Sequence, residues 1–104
     1  MADPMRIRAT HAAGKVDVKI LMAHPMETGQ RKGADGTTVP AHYIEKVEVR
    51  CADRVVLSAD WGPAVSKNPY LAFRFSGAAP GQTLSVTWVD NLGQTRTDSV
   101  PISG

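Results

Sequence analysis

At 104 residues, with 42% apolar and 21% charged side chains, the chain is sized for a single domain spanning 1–104 and lies far from disordered composition. Twelve basic and ten acidic residues leave a net charge of +2, scattered along the sequence. That field is too weak for a nucleic-acid partner, the few aromatics do not alternate with cations as base stacking requires, and no run approaches the ~20 apolar residues of a membrane-spanning helix.

The opening Met1-Ala2-Asp3-Pro4-Met5-Arg6 holds an acid and a proline, with no apolar run of the roughly 7–15 residues a secretory leader needs. Taken alone, it reads as cytoplasmic or as already processed. A weak first strand is expected over Arg6–His11. Val16, Val18, Ile20 and Met22 then alternate with Asp17 and Lys19, the period of a half-buried strand. The next segment, His24–Ala41, holds three glycines and two prolines and is expected to be a long irregular loop.

Alternation resumes with Val47, Val49 and Cys51, set against Lys46, Glu48 and Arg50. A tight connection at Ala52-Asp53 leads into Val55, Leu57, Ala59 and Trp61, so a hairpin is expected. Trp61–Pro69 interrupts the rhythm with apolar residues between two prolines. Leu71, Phe73 and Phe75 form the next strand, followed by Leu84, Val86 and Trp88. Asn91-Leu92-Gly93 turns the chain into Thr95–Ile102. Seven short strands and no helical face predict an all-β fold, an immunoglobulin-like or fibronectin-type antiparallel sandwich.

Three histidines and one cysteine are the residues with chemistry to offer. Imidazole and thiolate are natural ligands for iron, copper or zinc, but His11, His24, His42 and Cys51 form no locally spaced ligand pair. His24 is read as a brace for the loop beside Pro25, and His11 and His42 as surface or loop-packing residues. Cys51 falls in phase with Val47 and Val49 and reads as an inert core thiol, since free cysteine is among the most buried residue types. No serine sits in a nucleophile elbow, Glu27, Glu45 and Glu48 form no acid/base pair, and no glycine-rich loop opens a helix. The chain is expected not to be an enzyme and to need no cofactor and no metal.

Four stretches carry a family resemblance: Val18–Gly29, Pro40–Ile44, Trp61–Leu71 and Val86–Asn91. With these runs the chain resembles SoxZ, the smaller subunit of the SoxYZ sulfur-carrier complex of thiosulfate oxidation. The resemblance implies an immunoglobulin-like sandwich that pairs with a SoxY-like subunit, as a heterodimer or a larger assembly. In such complexes SoxY carries sulfur intermediates on a cysteine in a flexible Gly-Gly-Cys-Gly-Gly arm, and other Sox enzymes make transient contact. SoxZ supplies scaffold and docking surface. The resemblance also implies a periplasmic protein without a signal peptide of its own, exported together with its signal-bearing partner.

A second resemblance concerns His24-Pro25-Met26 and His42-Tyr43-Ile44-Glu45, which look like the iron-binding stretch of superoxide reductases. Those enzymes hold iron with four imidazoles and a thiolate, the last two ligands coming from a Cys-x-x-His run. Here that place reads Trp88-Val89-Asp90-Asn91-Leu92-Gly93-Gln94, with neither ligand. A metal oxidoreductase is therefore the alternative reading.

Candidate contacts with the partner are the apolar or rigid residues that depart from solvent-facing chemistry: Pro25, Met26, Trp61, Pro63, Val65 and Tyr70. Leu21 and Val89 join them, because both fall on the otherwise polar faces of their strands.

Overall fold

A computed structural model of the chain describes residues 3–104. Seven antiparallel strands form two sheets: β1 (Arg6–Ala12), β2 (Lys15–Leu21), β3 (Ile44–Cys51), β4 (Arg54–Asp60), β5 (Tyr70–Ser76), β6 (Thr83–Asp90) and β7 (Thr95–Pro101). One sheet runs β1-β2-β5 and the other β4-β3-β6-β7. The expected all-β sandwich is therefore the architecture found, with β4 paired to β3 in the larger sheet. No helix long and apolar enough to cross a membrane occurs among the described residues.

The core comes from the strands flanked on both sides. Val16, Val18 and Ile20 of β2 face Val47, Val49 and Cys51 of β3 and Leu84, Val86 and Trp88 of β6, all at most 3% exposed. Edge positions such as Leu57, Leu71, Phe73 and Phe75 are only half-buried. The β1–β2 hairpin closes at Ala13-Gly14, with φ of +53° and +77°, a turn whose twist matches that of the strands it joins.

Two bulges alter the expected alternation. Ile44 pairs with Asp90 and Lys46 with Val89, so one extra residue lets Ile44 and Val47 both face inward. On the other side of β3, Val49 pairs with Leu57 but Arg50 with Val55. Val55 was expected to share the inner face of Leu57 and Ala59. The bulge instead turns it outward, opposite Arg50, where it is 43% exposed.

Candidate functional site: a buried histidine pair on one carboxylate

The alternation of β2 continues past its last ladder pair. Met22 points inward and bonds its N–H to the Pro69 carbonyl at 2.9 Å, and His24 is the next inward position. Asn68 pins that residue from both sides: its Oδ1 accepts from the His24 N–H at 3.1 Å, and its own N–H donates to the His24 carbonyl at 3.0 Å. The chain then turns at Met26, whose φ of +49° is the left-handed conformation.

The segment expected to be an irregular loop is a laced arm. Glu27 and His42 exchange backbone hydrogen bonds of 2.6 and 3.0 Å at its base. A further bridge joins Lys32 to Thr38, and Val39 donates to the Arg31 carbonyl at 2.7 Å. Asp35 ties the tip by accepting from the N–H and hydroxyl of Thr37. The glycines and prolines misled because they mark the turn and margins of this arm, while its few ladder bonds leave no hydrophobic alternation to read.

Lacing the arm at its base places His42 against His24, with ring centroids 4.5 Å apart. Both rings meet one acceptor, the Oδ2 of Asp90, at 3.1 Å from His24 Nε2 and 2.7 Å from His42 Nε2. Asp90 is the last residue of β6, in phase with Leu84, Val86 and Trp88, and is 2% exposed. Its Oδ1 accepts the backbone N–H groups of Leu92 at 3.0 Å and Gln94 at 2.8 Å, which shapes the β6–β7 turn. One carboxylate thus receives four donors.

Burial pushes the Asp90 carboxyl up, but the hydrogen bonds from His24 and His42 and from the Gln94 and Leu92 N–H groups outweigh it. The pKa falls below the ordinary 3.8. For His24, burial is the largest influence and favours the neutral ring; the Asp90 hydrogen bond opposes it without prevailing. Its pKa lies below the ordinary 6.5.

The ring proton is assigned by geometry. The Met26 N–H donates to His24 Nδ1 at 3.1 Å, so in the neutral ring Nδ1 is bare and Nε2 carries the hydrogen offered to Asp90. This bears on metal binding. His24, His42 and Asp90 each present a ligand atom within 4.8 Å of the others, a donor set suited to a divalent ion. A metal at His24 Nε2 needs that lone pair, and so requires the proton to move to Nδ1 at the expense of the Met26 bond. The arrangement as it stands fits a hydrogen-bonded strut and does not fit a metal centre.

The remaining residues of the metal reading are elsewhere. Cys51 ends β3, seven residues along the strand from Ile44, roughly 23 Å at the usual rise per residue. It is 3% exposed and free, at the opposite end of the sandwich from His24 and His42. His11 also lies at that far end, where its N–H donates to the Ser103 carbonyl.

The candidate contacts gather mostly at the histidine end. Leu21 and Tyr70 are cross-strand partners on the outer face of the smaller sheet, 42% and 61% exposed. Pro25 and Pro63 are exposed, Trp61 and Val65 half-buried, and Trp61 is tied to this end by its N–H on the Glu45 carbonyl at 2.8 Å. Val89 lies on the outer face of the larger sheet opposite Thr95. Met26 is the exception: it is 5% exposed, its sulfur accepting the Ile44 N–H at 3.4 Å. It was expected at the surface, but the left-handed turn folds its side chain into the core. A cleft of about 370 Å³ opens beside the pair, lined by residues including His24, Pro25, His42, Lys67 and Trp88.

Sequence reasoning missed Asp90 altogether. The available signal was an acid in phase with the inward positions of β6, since a charge on an apolar stripe must find donors.

Among solved structures, a variant of the superoxide reductase (neelaredoxin) from Archaeoglobus fulgidus in the reduced form superposes with a TM-score of 0.70 at 18% identity, over 99% of this chain and 91% of that one. The same reductase without the substitution gives 0.65 at 18% identity, over 96% and 89%. A hypothetical protein from Pyrococcus horikoshii OT3 gives 0.66 at 15% identity, over 98% and 89%. At such identities the likeness is one of fold alone. No curated protein matches significantly. A profile of the family described as sulphur oxidation protein SoxZ matches residues 5–101. With the sandwich and that match across nearly its whole length, the chain belongs to the SoxZ family of sulphur-oxidation proteins.

Proposed function

We propose that the chain is the non-catalytic subunit of a SoxYZ-type carrier complex, binding and supporting a SoxY-like partner whose own arm cysteine carries the sulfur intermediates. The observation that carries this reading is the SoxZ match over residues 5–101. The burial of Cys51 supports it. A cargo-bearing thiol has to reach several enzymes in turn, and one that is 3% exposed at a strand end cannot do so without local unfolding.

The contact is assigned to the histidine end of the sandwich. There Pro25, Trp61, Pro63 and Val65 form a rigid, partly apolar surface with Leu21 and Tyr70 at its corner. The strut of His24, His42 and Asp90 braces that surface from within by joining the β2 extension, the arm and the β6–β7 turn. Met26 takes no direct part. The complex is assigned to the periplasm, with export of this subunit in company with its signal-bearing partner.

Co-expression with a SoxY-like subunit, followed by native mass spectrometry and metal analysis, tests the reading. A metal-free 1:1 heterodimer is expected. An isolated chain that retains stoichiometric iron or copper and forms no heterodimer would replace this function with a metal oxidoreductase.

A further inference from the structure

We propose that the outer face of the three-stranded sheet, around Leu21 and Tyr70, anchors an acidic segment of the partner subunit that carries an apolar side chain between its carboxylates. The partner's identity rests on the subunit reading; the chemistry of the site does not. The strand registers place Arg6, Arg8, Lys15, Lys19 and Arg74 on this face with a single acid, Asp17. Five of the chain's twelve cations therefore share a surface with one of its ten acids, and the rest of the molecule is net negative. Charges scattered in the sequence are concentrated by folding.

These cations are also poorly neutralised. Arg74 pairs with Asp17, but among the described residues no ion pair reaches Arg6, Arg8 or Lys19. Arg8 and Lys19 stand directly opposite each other across β1 and β2. Like charges in that position are destabilising, so the sheet carries a cost that a bound carboxylate would remove.

Beside them, Leu21 and Tyr70 are directly opposed on β2 and β5 and largely uncovered. A depression of about 240 Å³ is lined by this pair together with Arg6, Arg8 and Lys19. A second, of about 490 Å³, continues from Lys19 over Ala72 to the paired Asp17 and Arg74. The result is a shallow trough with an apolar end and a cationic length. It is too open for a small molecule, which would be mostly enclosed. One exposed aromatic gives no stacking track for nucleic acid, and one apolar pair is too little for insertion into a bilayer. An extended acidic peptide with one apolar anchor matches both features.

The test is an amide NMR titration of the full chain with a blocked pentapeptide bearing leucine at its centre and glutamate on either side. Shifts should be confined to β1, β2 and β5, and affinity should fall about fivefold between about 50 and 300 mM salt. Lys19→Glu should weaken binding at least ~10-fold and also raise the melting temperature, because it relieves the Arg8–Lys19 repulsion. Tyr70→Ala should weaken it with the salt dependence retained, and Arg50→Glu on the other sheet should leave it unchanged. No binding, binding insensitive to Lys19→Glu, or tighter binding of oligothymidylate or of phosphatidylglycerol vesicles would overturn the inference. Heterodimer formation in native mass spectrometry is read separately, so failure of this site and failure of the subunit reading are distinguishable.

Discussion

Met26 donates its backbone N–H to Nδ1 of His24, and that bond fixes which ring nitrogen faces the buried Asp90. The imidazole is held as a donor between a left-handed turn and a carboxylate 66 residues away in sequence. The pair of histidines therefore works as a structural joint at the end of the sandwich on which partner docking is proposed.

Asp90→Asn tests the joint directly. Each carboxylate oxygen accepts two N–H groups, and an amide must turn its own NH₂ toward one of those pairs. Urea unfolding should show a loss of about 2–4 kcal/mol, because buried donors are left facing a donor. A loss within ~0.5 kcal/mol would mean that the four bonds contribute little.

Acidification should weaken the fold in two stages. His24 has a folded pKa below 6.5, so the unfolded chain takes up its proton first. Its contribution is present above 6.5 and is lost as pH falls toward the folded value. Asp90, also depressed, contributes above 3.8 and ceases to do so as pH falls through its folded value. Urea midpoints from about pH 8 to about pH 3 should decline through both windows, and His24→Gln should abolish the upper stage. A flat profile through the upper window would contradict the assignment.

Met26 and Pro25 are neighbours with opposite expected behaviour. Met26→Ala empties a core position and should cost about 2–4 kcal/mol, whereas Pro25→Ala at the exposed position should stay within about 0.5 kcal/mol. In a binding assay with the SoxY-like subunit the order should reverse, with Pro25→Ala the more damaging when each variant is compared under conditions where it is folded.

Cys51 should resist thiol reagents. At 3% exposure, it is expected to react with Ellman's reagent only as fast as the end of β3 opens, and at full rate in denaturant. Stoichiometric reaction of the native chain within mixing time would make Cys51 itself a carrier candidate.

The seven strands were legible because β2, β3 and β6 alternate between apolar and polar residues with period two, and a face buried against another sheet requires that pattern. The burial of Cys51 followed from the same phase. Val55 escaped the reading because a bulge adds one residue and reverses the face of everything on one side of it, a matter settled by pairing between strands. The arm from Glu27 to His42 escaped it because its bridges are backbone bonds, which leave no mark on side-chain chemistry.

The sequence by itself therefore determined the sandwich, its inward stripe, the buried cysteine and the family, since each is written in local alternation or in contiguous runs of residues. Only the tertiary structure decided that His24, His42 and Asp90 share one oxygen and that Arg8 stands opposite Lys19. Those relationships join residues far apart along the chain. They exist only where strand pairing and the laced arm bring donors, acceptors and charges within range of one another.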